Sequence, residues 1–167
     1  TCAYTANLGG NLTTTSCGIF RDCAFLASSE ATLTPAAQFT FNTQNYTLTV
    51  GGIYWMGDGT TTGGTFNHGS STIVTEGFVP TGDNIVVNLN SATVTSGPQT
   101  GTSDGNSASE PLCFSGSGTV TVNFNTSNFT CDGQFRLFAS GTFNLNSSTI
   151  TATDDRGCNN CAGVGYS

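Results

Sequence analysis

The feature that most limits what this chain can become is a period of two in its apolar residues, clearest between Cys113 and Thr153. Val120, Val122 and Phe124 alternate with Thr119, Thr121 and Asn123. Phe135, Leu137 and Ala139 alternate with Gln134, Arg136 and Phe138, and Phe143 and Leu145 keep the phase. Successive side chains of an extended chain point to opposite sides, so this spacing makes one face apolar and the other a row of Thr and Asn. Asn125-Thr-Ser-Asn128 and Cys131-Asp-Gly133 break the runs with turn residues. The stretch reads as a buried β-meander.

The same logic extends upstream. Phe39, Phe41, Tyr46, Leu48 and Val50 are strand-like, Ile53 to Met56 is an aromatic strand, and Ser71 to Val79 and Asn84 to Leu89 are further strands. Gly57 to Gly69 is Gly-rich and reads as a loop, as does Ser96 to Pro111, which has almost no apolar residue. Consecutive strands joined by short turns predict an all-β fold, an antiparallel β-sandwich or jelly roll of roughly eight to ten strands. Residues 11–167 form one domain, with an irregular tail from about residue 154. Residues 1–10 form an extended arm, with Cys2, Tyr4, Ala6 and Leu8 on one side and Gly9-Gly10 as a joint. Such an arm can add a strand to another copy or serve as the first strand of its own domain.

Composition enters where it excludes. Only 8% of the residues are charged, the net charge is −7, and Lys is missing. The basic side chains are Arg21, Arg136 and Arg156. Disorder is the alternative for so polar a chain, but 12 Phe at mostly alternating positions argue for a packed core. Without a basic face the chain is not a nucleic-acid binder, nor does it dock electrostatically on anionic lipid. No apolar run is long enough to insert in a bilayer as a helix. Seven Cys in so polar a chain point to an oxidising, extracellular setting.

Those seven, Cys2, Cys17, Cys23, Cys113, Cys131, Cys158 and Cys161, are read as structural disulfide candidates, two or three bridges with connectivity left open and one sulfur over. A single CxxC with one His in the chain is too little for zinc. Asp154, Asp155, Asn159 and Asn160 cluster hard oxygens that suit Ca²⁺, against a solvated turn. Sequons at Asn11, Asn45, Asn125, Asn128 and Asn146 permit glycosylation, at a density that an Asn/Thr-rich composition produces by itself. Tyr54 and Trp55 offer a stacking face for sugars, or fill a core. His68 lies in a Gly-rich loop without a partner base or elbow motif, so no catalytic constellation is read, no cofactor is expected, and the protein is not taken for an enzyme.

Two repeat signals remain. Phe41 to Thr47 matches Phe124 to Thr130 at five of seven positions, which suits hairpins and raises a duplication at half the chain length. TxT runs at Thr32, Thr47, Thr93, Thr119 and Thr149 suggest a flat ice- or sugar-binding face, but their uneven spacing argues against a solenoid of stacked Thr. The expectation is therefore a secreted, cell-surface structural subunit of a fibre, pilus-like filament or coat, self-assembling by strand addition between copies. The alternative is a secreted carbohydrate-binding module with glycans as partners.

Overall fold

The computed structural model describes residues 4–14, 18–21, 24–26, 39–57, 62–97 and 112–153. They form short strands in successive coils. The first coil holds β1 (Tyr4–Asn7), β2 (Leu12–Thr14) and β3 (Gly18–Arg21), followed by β4 (Ala24–Leu26). The second holds β5 (Phe39–Asn42), β6 (Thr47–Val50) and β7 (Ile53–Met56). The third holds β8 (Thr62–Asn67), β9 (Thr72–Thr75) and β10 (Gly77–Pro80). The fourth holds β11 (Asp83–Asn88), β12 (Thr93–Ser96) and β13 (Leu112–Phe114). The fifth holds β14 (Val120–Asn123), β15 (Asn128–Cys131) and β16 (Gln134–Phe135), and β17 (Thr142–Asn144) and β18 (Thr149–Ala152) begin the sixth.

Every third strand returns to the same sheet. Sheet A runs β1-β5-β8-β11-β14-β17, sheet B runs β2-β6-β9-β12-β15-β18, and sheet C runs β4-β3-β7-β10-β13-β16. All pairings are parallel except that of β3 with β4. The protein is thus a three-faced parallel β-solenoid, not an antiparallel sandwich or jelly roll. The expectation failed for a physical reason: alternation reports which side chains are buried, not which strand is the neighbour. A four-residue turn between two strands served as a corner into the next sheet rather than as a hairpin within one.

Two further readings are corrected by the coils. Gly57 to Gly69 is not all loop, because Thr62–Asn67 is a central strand of sheet A. Glycine is needed there: a Cβ on Gly64 would sit 2.9 Å from the Phe39 ring, which packs edge-on to Phe66 at 5.2 Å. The half-chain echo also aligns the wrong residues. Asn42 and Asn123 occupy the same level of the coil, so Phe124 corresponds to Thr43 and not to Phe41.

Inside the coil, side chains stack in columns. Tyr54, Phe78, Phe114 and Phe135 line sheet C, with Phe114 and Phe135 ring-stacked at 4.5 Å. Leu48, Ile73, Val94 and Phe129 line sheet B, and Phe66, Val87 and Val122 line sheet A, all buried. Cys113 and Cys131 are bonded to each other, with Cα atoms 5.6 Å apart, joining sheet C to the end of sheet B. Cys2, Cys17, Cys23, Cys158 and Cys161 lie outside the described residues, as does the tail from residue 154.

Candidate functional site

The corner from sheet A to sheet B is the most regular part of the molecule. Asn42, Asn67, Asn88, Asn123 and Asn144 each end a sheet A strand, and each precedes its sheet B core residue by the same number of positions. In the corner the backbone closes a turn in every coil, with Tyr46, Ser71, Ala92, Ser127 and Ser148 donating their N–H to Thr43, His68, Leu89, Phe124 and Leu145. The residue after the turn's first carbonyl has positive φ throughout: Gln44 60°, Gly69 55°, Asn90 53°, Asn125 55° and Asn146 49°. Asn tolerates that region better than other side chains. Only glycine fits at position 69, where a Cβ would collide with the Gln44 carbonyl.

In-register stacking turns the Asn columns into ladders. Asn42 Nδ2 donates to Asn7 Oδ1 at 2.7 Å, Asn67 to Asn42 at 2.9 Å, Asn88 to Asn67 at 2.8 Å, Asn123 to Asn88 at 2.7 Å and Asn144 to Asn123 at 2.7 Å. A second, shorter ladder joins Asn125 to Asn90 and Asn146 to Asn125. Amide ladders of this kind form where identical residues repeat along stacked parallel strands.

Sheet B presents the other regular array. Its outward positions form two columns, one of Thr47, Thr72, Thr93, Asn128 and Thr149, the other of Thr13, Thr49, Val74, Thr95, Thr130 and Thr151. From Thr72 onward these side chains are exposed. Val74, 39% exposed, is the isostere of the Thr it replaces in its column. No outward position of these strands carries a charge, and Glu76 and Asp132 lie just beyond the ends of β9 and β15. The TxT runs at Thr47, Thr93 and Thr149 are therefore stacked after all. Their spacing is uneven because coil length varies: neighbouring Asn of the ladder are 35, 25, 21, 35 and 21 residues apart.

His68 takes a structural place. It sits at the corner position where other coils use Leu89, Phe124 and Leu145, fully buried, edge-on to Tyr54 at 5.8 Å and Phe78 at 6.2 Å. Thr43 Oγ1 lies 3.3 Å from its Nδ1 and 2.8 Å from Ser71 Oγ, and Ser71 Oγ donates to the His68 carbonyl. A cycle closes if Nδ1–H donates to Thr43, Thr43 donates to Ser71 and Ser71 donates back. Nε2 has no hydrogen-bond partner, and burial pushes the imidazole pKa down from 6.5 to about 3.

The remaining candidates separate. Tyr54 is fully buried in the sheet C column and shows no face to a sugar, and burial raises its phenol pKa. Trp55 is half-buried on the other side of the same strand. Asn11 accepts from the Thr47 N–H at 2.9 Å, Asn45 is exposed in its corner, Asn125 and Asn146 are ladder members, and Asn128 stands in a Thr column. Asp154, Asp155, Asn159 and Asn160 lie outside the described residues. Among the described residues there is no group of three His, Cys, Asp or Glu placed to hold a metal, and no helix long and apolar enough to cross a membrane.

The Asn ladders have no counterpart in the sequence reading, and the stacking of the TxT runs is hidden there by their uneven spacing. Their signal is an Asn followed five residues later by a Thr and then an apolar residue, as in Asn67 with Thr72-Ile73, Asn88 with Thr93-Val94 and Asn144 with Thr149-Ile150. The class defined by fold and surface is a parallel β-solenoid with an uncharged, hydroxyl-rich face on its sheet B strands. Compared with known protein families, with curated proteins and with solved structures, the chain matches none.

Proposed function

We propose that this solenoid is a structural subunit of an extracellular fibre or surface coat, built by stacking copies end to end. The observation that carries this reading is the complementarity of the two ends. Among the described residues each sheet has six strands, with sheet C displaced by one level: β4 lies beyond the first coil, and β16 lies one level before β17 and β18. Among the described residues, the step left at one end matches the step that projects at the other. Stacking would set β1 on β17 and β2 on β18, and would bring β4 antiparallel beside β16.

Both ends also expose residues that point inward elsewhere. Ala6, level with Phe41 and Phe66, is exposed at the first coil. Leu145 is 41% exposed at the last. Parallel edges with open hydrogen-bonding groups are templates for another strand unless they are covered. The Cys113–Cys131 bond and the nearly uncharged surface suit an oxidising exterior. In the first coil, β1 pairs with β5 of its own chain, so growth by this route adds whole coils rather than lending an arm.

Two charge substitutions test the mechanism. Ala6→Lys spoils one end and Leu145→Lys the other, so each variant alone should stay monomeric under conditions where the unmodified chain forms rods in negative stain. Mixed, the two should give dimers and nothing longer, because each supplies one intact end. Rods from either variant alone, or an unmodified chain that remains monomeric at high concentration, would discard the reading.

A further inference from the structure

We propose that the outward face of sheet B is an ice-binding surface. The inference rests on the Thr columns of a single copy and needs no assembly. A partner for this face must be neutral, since its strands carry no outward charge, and it must be periodic, since the columns repeat in register. In-register parallel strands repeat at about 4.8 Å, and alternate residues along each strand at roughly 6.6 Å. The two columns are therefore a rectangular net of hydroxyls and methyls with a fixed repeat in both directions.

The net is rigid. Among the described residues the only register shift is in sheet C, between Leu112 and Phe114. Behind the columns, Leu48, Ile73, Val94 and Phe129 are buried. The β-branched Thr side chain is confined to few rotamers on a strand, so its hydroxyl is held in place with little freedom left to lose on binding.

The occupant with this chemistry is crystalline water. An ice plane is an uncharged two-dimensional repeat of hydrogen-bonding oxygens. Hydroxyls at a fixed spacing can take up positions in such a repeat, while the methyls between them leave nothing for mobile water to solvate strongly. A Lys or Glu in the net would hold its own hydration shell and break the pattern. Of the two exceptions within the columns, Val74 keeps the methyl shape of Thr and loses only the hydroxyl, while Asn128 keeps a neutral hydrogen-bonding group. Sugar recognition would instead call for a stacking ring, and no outward position of β2, β6, β9, β12, β15 or β18 is aromatic.

The unmodified chain should be enriched in slowly grown ice, should produce faceted crystals, and should separate the melting from the freezing point. Thr95→Lys, in the middle of the net, should abolish all three without changing the thermal unfolding curve. Thr95→Val should keep most of the effect, and Thr121→Lys on sheet A should keep all of it. Exclusion of the unmodified chain from ice would overturn the proposal, and so would full activity in Thr95→Lys. Retention on insoluble cellulose or chitin without any effect on ice would overturn it in favour of a polysaccharide surface.

Discussion

Sheets B and C are both built from short strands and wind around the same core, yet their outer faces have opposite fates. Outside sheet B stand exposed Thr, Asn and a single Val. Outside sheet C, Ile53 is 6% and Val79 3% exposed. The sequences record the difference. Sheet B strands mostly alternate, as in Thr47-Leu-Thr-Val50, whereas Ile53-Tyr-Trp-Met56 and Gly77-Phe-Val-Pro80 do not. A sheet that is wet on one side alternates, and one that is dry on both sides reads as a continuous apolar run. Sheet B is shaped by what it meets outside, sheet C by what it holds together.

The contrast is broken most severely by Phe114→Ala. That ring touches Phe78, Phe124, Phe129, Phe135 and Phe143, so its loss should cost about 3–5 kcal/mol in urea unfolding. Thr95→Ala on the outer face of sheet B should stay within about 0.5 kcal/mol. Equal costs would mean that the sheet B exterior is also structural.

Acid gives the next largest effect. Folded His68 protonates only near pH 3 whereas the unfolded residue does so at 6.5. Above pH 6.5 both states are neutral and nothing is lost. Below it the unfolded chain takes up a proton that the folded chain refuses, so stability falls with falling pH by roughly 1.4 kcal/mol per unit. Between pH 6.5 and 4.5 that is about 3 kcal/mol. His68→Leu, the residue its corner uses at Leu89, should flatten this part of the pH profile; the same slope in both proteins would place the titration elsewhere.

The ladder gives the smallest effect and the finest test. Asn88 bonds both neighbours and Asn144 only one. Asn88→Ala should therefore cost about 1–2 kcal/mol and Asn144→Ala about half of that. Equal values in calorimetry would show that the amides do not act as a chain of bonds.

The strands were legible because apolar spacing is a local property. Val120, Val122, Ile85 and Val87 were assigned to buried faces from their neighbours alone. Sheet partners are not legible, since a partner lies one coil away and coil length changes with the chain added between β3 and β5, between β7 and β8 or between β12 and β13. The Thr columns show in the sequence as TxT runs, but the uneven spacing of the runs hides their stacking. The repeat becomes visible only when the count starts at the corner Asn, because the corner alone keeps a constant length from the second coil onward. His68 was seen as a loop residue, and its burial follows from standing where Leu89 and Phe124 stand.

The long amide ladder also has a sense. Every carboxamide from Asn42 to Asn144 donates toward the N-terminal coil, and those from Asn7 to Asn123 accept from the C-terminal side. Five bonds aligned in one direction make an arrow along the axis, with an unspent acceptor at the Asn144 tip and unspent donors at the Asn7 tip. A rod of such units cannot be turned around without setting acceptor against acceptor. Its two tips would be chemically unequal, and a molecule that blocks one would leave the other free to grow.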